Sequence, residues 1–275
     1  MICEISPSAF GVNDAGGGAK KSKCSRPMGM DMQSLPDSLN EAATLATGTA
    51  HLVAHPHYKS AKNNANMRAA SRLVSDFEEK IPLDKIKSSG AEMVLPLNTM
   101  GEGGRNALPC ALGDMLSAKA GLPLAAITAF EKSGDNTGVS LARRGRNKIE
   151  FAVSKSVRDK KVLLVDDVYI SGKTVLAAAE AVRRAGGKPV MVFALANGQA
   201  GRGIKPKPQN VQKLLGIFQT DAQGFSHEFG FAPDQLTDSI LRRLTDLNRA
   251  GRALRKSDAL KSKATWAREQ LGAFA

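Results

Sequence analysis

The stretch VLLVDDVYISGKT, residues 162–174, decides the fold class of this chain and raises the question of what binds there. An apolar run ends in two carboxylates, Asp166 and Asp167, and a small turn containing glycine follows. A continuous apolar run is typical of a strand buried on both faces of a parallel sheet, and we expect this one to end at Val165. Because ligands bind beyond the carboxyl ends of such strands, both carboxylates should lie at a binding site.

The SGKT turn, residues 171–174, resembles only the end of a nucleoside triphosphate loop. Such a loop needs a glycine five residues before Gly172, and that position is Asp167, whose carboxylate would repel phosphate. The turn instead favours one phosphate, bound by backbone N–H groups at a helix N-terminus with help from hydroxyls and Lys173. The preceding aspartates can accept hydrogen bonds from two adjacent sugar hydroxyls. The stretch therefore predicts a ribose 5-phosphate site.

Strand and helix patterns alternate around this stretch. Strands are predicted at residues 92–97, 123–130, 149–153, 161–165 and 189–196, and helices at residues 107–122 and 174–187. This alternation predicts an α/β fold, with an open, mainly parallel sheet flanked by helices. Further upstream, AHLVAHP (50–56) is predicted as a short strand, and residues 61–80 as an amphipathic helix.

The chain divides into four predicted parts. Residues 1–45 are rich in Gly, Ser, Asn and Asp without a sustained period, which is typical of loop or disorder. Residues 46–90 form a strand and helix extension, and residues 91–200 form the core. Residues 201–275 begin with a basic, proline-containing linker and continue as a basic, mainly helical extension. Its apolar face carries Leu236, Ile240, Leu244 and Leu247.

Composition limits the partners and the compartment. Lys+Arg 39 against Asp+Glu 26 gives a net charge of +13, which attracts nucleic acid or phosphorylated ligands. Aromatic residues are only 5%, which is low for a protein that binds single strands by stacking bases on its rings. Three cysteines without a CxxC spacing indicate reduced thiols. No apolar run reaches the ~20 residues of a membrane span, and the N-terminus is a poor signal peptide, so we expect a cytoplasmic protein without membrane contact.

The stretch 162–174 resembles the phosphoribosyl pyrophosphate (PRPP) motif of type I phosphoribosyltransferases: an apolar strand, two acidic residues and a turn ending in Gly-x-Thr. Ile170 departs from the pattern, where a hydroxyl residue is usual. The run TGVSLARRGRNKIEFAV, residues 137–153, is similar to the approach to this motif in the ComF-like branch. The likeness covers roughly residues 92–197 and implies the type I phosphoribosyltransferase fold. The chain lacks the cysteines of the N-terminal zinc ribbon that ComF-like proteins often carry.

The resemblance implies transfer of a 5-phosphoribosyl group between pyrophosphate and a nitrogenous base. Asp166 and Asp167 would be the catalytic residues that hold the ribose hydroxyls. The 5-phosphate would be bound by Ile170, Ser171, Gly172, Lys173 and Thr174. Pyrophosphate would be bound by Thr99, Met100, Gly101 and Arg105. A mobile loop would close over PRPP with Arg143, Arg144, Arg146 and Lys148. Mg²⁺ is the implied cofactor, bound mainly through PRPP oxygens and not by protein ligands alone.

Plainer interpretations of each motif remain open at this point. The acidic pair could be an exposed strand end, and the SGKT turn an ordinary helix cap. The turn after residue 98 could be a flexible loop, and the basic segment before residue 149 a solvated one. The identity of the acceptor base is not determined, since the N-terminal segment, the tail or both would select it.

A second hypothesis is a non-catalytic regulator of the same fold that senses PRPP or nucleotides and binds nucleic acid through its basic tail. The basic residues of that tail are Arg242, Arg243, Arg249, Arg252, Arg255, Lys256, Lys261 and Lys263. A helix that packs on the core through its apolar face is the alternative for the same segment. A homodimer is the assembly that we consider.

Three of the four histidines, His51, His55 and His57, are close in sequence and suggest a metal site. Zinc would need a fourth ligand that the sequence does not identify, so we disfavour a metal here. His227 is expected at the surface.

Overall fold

Four parallel strands form the central sheet. In spatial order they are β1 (Ala43–Thr47), β8 (Lys188–Asn197), β7 (Lys161–Tyr169) and β2 (Met93–Pro96). Two antiparallel pairs complete the strands: β3 (Met100–Gly101) with β4 (Gly104–Arg105), and β5 (Ile127–Lys132) with β6 (Ile149–Val153). The structure is a computed structural model, which describes residues 37–40, 42–101, 104–132, 149–170, 172–198, 203–229, 232–242 and 245–246.

Residues 238–242 are helical, and the other α-helices within these ranges are numbered in chain order. They are α1 (Asp37–Asn40), α2 (Ala50–Ala54), α3 (Tyr58–Asn63), α4 (Met67–Ser75), α5 (Leu83–Ser88), α6 (Leu108–Ala120), α7 (Lys173–Arg184), α8 (Pro208–Phe218) and α9 (Ala222–Phe229). The predicted end of α6 is confirmed, since Gly121 adopts a left-handed φ of 69° there. Over the part of the chain that is described, no helix is long and apolar enough to cross a bilayer.

Two upstream predictions are wrong. Residues 50–54 form α2 and not a strand, because only one side chain of the segment, Leu52, is buried while Val53 is 53% exposed. The single helix expected over 61–80 is interrupted after α3, where Ala65 has φ 53°. The side chain of Asn66 then caps α4 by accepting the N–H of Ala69 at 3.0 Å. The strand β1, which lies at the edge of the sheet, was not predicted.

The side chains of β7 alternate between the two faces of the sheet, and each face is covered by helices. Val162 and Leu164 pack in a cluster with Val182 of α7. Leu163 and Val165 pack in a second cluster with Leu73 of α4 and Leu112 of α6. Helices therefore flank an open parallel sheet on both sides, as the sequence predicts.

The segments before and after the core contact each other near Tyr169, the last residue of β7. The carbonyl oxygen of Asn40 accepts the N–H of Ile204 at 2.8 Å and the hydroxyl of Tyr169 at 3.1 Å. The carbonyl of Ile204 in turn accepts the N–H of Asp238 at 3.0 Å. The segment before the core is thus hydrogen-bonded to the strand that carries the acidic pair, and the segment after the core is hydrogen-bonded to Asn40 of that first segment.

The C-terminal extension has a small apolar core of its own. Leu214, Phe225, Leu236 and Leu241 are buried together, and Ile240 packs against them. The predicted apolar face is confirmed at Leu236 and Ile240. Leu244 and Leu247 lie outside the described residues.

Candidate functional site

The acidic pair lies near the carboxyl end of β7 and is buried, with Asp166 8% and Asp167 5% exposed. The prediction that the strand ends at Val165 is wrong, because β8 continues beside β7 and Asp166 pairs with Ala194 in the ladder. On the other side, β2 ends at Pro96, opposite Val165. The two aspartates therefore lie beyond the end of β2, the strand on one side of β7. Because both aspartates are buried, they do not form an exposed acidic strand end.

The Asp166 carboxylate is held against the backbone of its neighbour. Its Oδ1 accepts the N–H of Asp167 at 2.9 Å. Burial raises the pKa of Asp166 well above its ordinary value, and the negative charge of Asp167 raises it further. Two adjacent buried carboxyls disfavour each other's ionised form, so this site stabilises a ligand or side chain that donates hydrogen bonds or carries positive charge.

Lys62 of α3 supplies such a positive charge, and its Nζ forms an ion pair and hydrogen bond with Oδ2 of Asp167. Burial opposes the charged form of Lys62, but Asp167, Tyr58 and Asp166 together raise the pKa of this lysine above its ordinary value. The Lys62 ammonium also lies 5.6 Å from the centre of the Tyr58 ring. The sequence analysis missed Lys62, because no local pattern connects residues this far apart in the chain.

The turn after β7 places a helix N-terminus beside the acidic pair. Gly172 has φ 75° and directly precedes α7, whose first N–H groups have no partners within the helix. Lys173 and Thr174 open this helix and are half-buried, and burial lowers the pKa of Lys173. Ile170 is 42% exposed. Four of the five residues predicted to bind the 5-phosphate therefore lie in the turn before α7 or in its first two positions. The fifth, Ser171, lies outside the described residues.

The predicted pyrophosphate loop is a short hairpin that leads from β2 to α6. Met100 pairs with Arg105, and Gly101 pairs with Gly104, in the antiparallel ladder of β3 and β4. The carbonyl of Thr99 accepts the N–H of Asn106 at 3.1 Å and closes the base of this hairpin. The hairpin follows the carboxyl end of β2, the strand next to β7. The side chains of Met100 and Arg105 lie outside the described residues.

Asn98 is a second residue that the sequence analysis missed. It lies two residues after the end of β2, is 8% exposed, and its Oδ1 has no hydrogen-bond partner within the described structure. A buried acceptor without a donor is costly, so this oxygen is available to a donor or cation that enters the site. Its position after a strand next to β7 was the available signal, since ligands gather at the carboxyl ends of neighbouring parallel strands.

Two other predicted groups have different outcomes. The basic loop with Arg143, Arg144, Arg146 and Lys148 lies outside the described residues. Among the histidines, Nε2 of His55 donates a hydrogen bond to Oδ2 of Asp76 at 2.9 Å, and the His55 ring lies 5.5 Å from that of His57. Within the described ranges, no cluster of three or more His, Cys, Asp or Glu side chains could hold a metal ion.

Comparisons with known proteins identify one domain family and one named relative. Residues 108–230 match the family described as the phosphoribosyl transferase domain. The protein named transcriptional regulator GfcR, from two strains of Halobacterium salinarum, is 31% identical over 183 residues, which are 57% of this chain and 84% of that protein.

Solved structures of the same class are less similar. The purine phosphoribosyltransferase of Pyrococcus horikoshii is 22% identical, with a TM-score of 0.30, over 42% of this chain and 66% of that one. The orotate phosphoribosyltransferase of Aeropyrum pernix is 18% identical, with a TM-score of 0.30, over 50% of this chain and 67% of that one.

Proposed function

We propose that this chain, which belongs to the phosphoribosyl transferase domain family, binds PRPP and Mg²⁺ and transfers the 5-phosphoribosyl group between pyrophosphate and a nitrogenous base. One observation carries the proposal: Asp166 and Asp167 are buried at the carboxyl end of a parallel strand, immediately before a left-handed glycine and a helix N-terminus. Placement in the ComF-like branch stays a prediction, because the matched family description names no branch.

The acidic pair would act on the sugar. Adjacent ribose hydroxyls would donate hydrogen bonds to the carboxylates of Asp166 and Asp167, which fixes the ring in the site. As the bond from C1 to pyrophosphate breaks, positive charge grows on the ring. Buried negative charge beside it then stabilises the transition state more than the ground state, which is how such a pair would accelerate transfer.

The start of α7 would bind the 5-phosphate. Its N–H groups and the hydroxyl of Thr174 are donors, and the positive end of the helix dipole favours an anion. Burial disfavours the charged form of Lys173, and a phosphate next to it would offset that effect. Only glycine fits the turn at residue 172 without strain, since its φ is 75°.

The residues at the edge of β2 and β7 fit a hard cation such as Mg²⁺. The Asp166 carboxylate and the unpartnered Oδ1 of Asn98 are the oxygen donors such a cation prefers. One or two protein oxygens suffice when the substrate supplies the others. Bound chiefly to PRPP, Mg²⁺ would neutralise charge on the departing pyrophosphate. The backbone N–H groups of the hairpin formed by β3 and β4 would bind the same anion.

A second candidate function is a regulator that binds PRPP or a related sugar phosphate and controls transcription. The similarity to a protein named as a transcriptional regulator favours it. In this hypothesis the ligand binds at the same site as a signal, and the basic tail contacts nucleic acid. Arg242 is the one named tail cation within the described residues, and the others lie outside them. The cytoplasmic location and the homodimer remain predictions from the sequence.

A screen of nucleobases separates the two candidates. Protein is mixed with PRPP, Mg²⁺ and one purine or pyrimidine base at a time, and pyrophosphate release is measured. The enzyme hypothesis predicts release with at least one base, and loss of that release in Asp167→Asn. If PRPP binds but no base triggers release, the regulator is favoured. The enzyme hypothesis is then wrong for the bases tested.

A further inference from the structure

A cavity of about 620 Å³ lies in the C-terminal extension, between α8 and the helical residues that follow Thr237. We call it the C-terminal groove. From α8 it is lined by Asn210, Lys213, Gly216 and Ile217. From the later helical residues it is lined by Arg242, Thr245 and Asp246. We propose that this groove binds a nucleotide through its phosphate group, at a site separate from the acidic pair of β7.

The two walls of the groove are joined by a buried carboxylate. Asp238 is fully buried, and its Oδ1 accepts the N–H of Lys207 at 2.8 Å and the side-chain amide of Asn210 at 2.7 Å. Lys207 is the N-cap of α8, so Asp238 ties the start of that helix to the opposite wall. Leu214 and Leu241, one from each wall, are buried in the same apolar cluster. The groove is therefore a gap between two segments that are packed and hydrogen-bonded together.

Gly216 leaves open space in the α8 wall. A Cβ added at this position would meet no atom within 4 Å. Glycine inside a helix is less favourable than alanine, and packing within the described protein does not require its small size here. A ligand in the groove can therefore approach the backbone of α8 at this point.

Two cations line the same cavity. Lys213 is exposed and Arg242 is half-buried, and neither forms an ion pair with another described residue. An anion bound between them would offset the repulsion of their like charges. A phosphate group suits both side chains, because it can carry two negative charges and its oxygens match the fork of an arginine guanidinium.

The rest of the lining favours a nucleotide over free phosphate. Asp246 is acidic, and Thr245 already donates its hydroxyl to the carbonyl of Arg242 at 2.7 Å, so both side chains offer oxygen acceptors. Such acceptors suit the hydroxyls of a sugar or the N–H groups of a base. The volume also lies within the range of roughly 300–1,000 Å³ that is typical of small-molecule sites. The groove thus fits one molecule that carries both a phosphate and hydrogen-bond donors.

The first test is isothermal titration calorimetry on the full chain with AMP, GMP, CMP and UMP, one at a time. At least one should bind wild type, and Lys213→Met and Arg242→Met should each weaken that binding at least about tenfold, since each removes hydrogen bonds from a charged group. Lys207→Met removes the same charge from an exposed residue outside the lining and should bind like wild type. Equal weakening by Lys207→Met, or no binding of any of the four nucleotides, overturns the inference.

The second test blocks the groove without changing any charge. Gly216→Leu places a side chain in the open space, so the nucleotide should no longer bind while circular dichroism shows a folded protein. Gly216→Ala adds only a Cβ, and it should fold and weaken binding less. Wild-type affinity in folded Gly216→Leu overturns the groove as the site.

The same titrations distinguish this groove from other phosphate sites. A nucleotide held at the proposed PRPP site would bind Lys213→Met and Gly216→Leu as it binds wild type, which overturns the inference and leaves the proposed function standing. If PRPP does not bind but the groove variants lose nucleotide affinity, the proposed function fails and the inference stands. A DNA or RNA oligonucleotide is titrated in parallel, because the phosphodiester backbone is the other source of phosphate. Binding of the oligonucleotide but of no mononucleotide overturns the inference.

Discussion

Replacement of Gly172 by alanine should destabilise the protein through two separate effects. Gly172 has φ 75°, a left-handed conformation that costs a non-glycine residue about 1–2 kcal/mol. The new Cβ would also lie 2.6 Å from Cγ1 of Ile204, which is 1% exposed. Forcing a methyl group into a packed site costs about 1–3 kcal/mol. The sum is about 2–5 kcal/mol, or a Tm lower by about 4–20 °C for a domain of this size.

Differential scanning calorimetry measures this loss, and a second glycine separates its two parts. Gly121 has a similar φ of 69°, but a Cβ there meets no atom within 4 Å. Gly121→Ala should therefore show the conformational cost of about 1–2 kcal/mol alone. Shortening Ile204 to alanine in the Gly172→Ala background should recover part of the steric cost relative to Ile204→Ala alone. Equal losses for the two glycine variants would refute the contact between the turn and Ile204.

Three further outcomes are expected. Gly113→Ala in α6 should cost about 1–3 kcal/mol in chemical denaturation, because its Cβ would clash with the Pro96 ring. Gly216 is an exposed position of α8 where a Cβ would meet no atom within 4 Å, so Gly216→Ala should gain up to about 1 kcal/mol. Burial and the charge of Asp167 raise the pKa of Asp166 in the folded protein, so the stability that protonated Asp166 contributes is full below its unfolded-state pKa and is lost as pH rises through its folded-state pKa. The Tm of Asp166→Asn should therefore rise relative to that of wild type between about pH 4 and pH 8. A Tm difference that is constant with pH would contradict this. If the tail binds DNA or RNA, affinity in a gel-shift assay should fall at least about tenfold between about 0.05 and 0.2 M salt; no binding at low salt would reject the regulator hypothesis.

The core could be predicted from the sequence because its signals are local. The apolar run before Asp166 and the glycine that precedes α7 both act within a few residues, and both are confirmed as a buried strand and a helix start. The position of the acidic pair near the carboxyl end of this strand follows from the same signals together with the general rule for ligand sites in parallel sheets, whereas its burial was not predicted.

The rest depends on contacts between distant parts of the chain. Lys62 contacts Asp167, and Ile204 packs against Gly172, only when the flanking segments pack against the sheet. The strand β1 has a weak pattern, ATLAT, and it is stabilised by pairing with β8 through residues such as Ala43 and Phe193. Neither a long-range ion pair nor an added edge strand leaves a periodic signal, which is why the sequence analysis missed both.

The central claim is that Asp166 and Asp167 bind the ribose of PRPP, and isothermal titration calorimetry tests it most directly. PRPP with Mg²⁺ is titrated into wild type and into Asp166→Asn/Asp167→Asn, after circular dichroism has shown that both are folded. Each lost hydrogen bond to a charged group costs about 1.5–3 kcal/mol, so we predict that the double variant binds at least about a hundredfold more weakly. Equal dissociation constants for the two proteins would contradict the assignment of the acidic pair to the sugar.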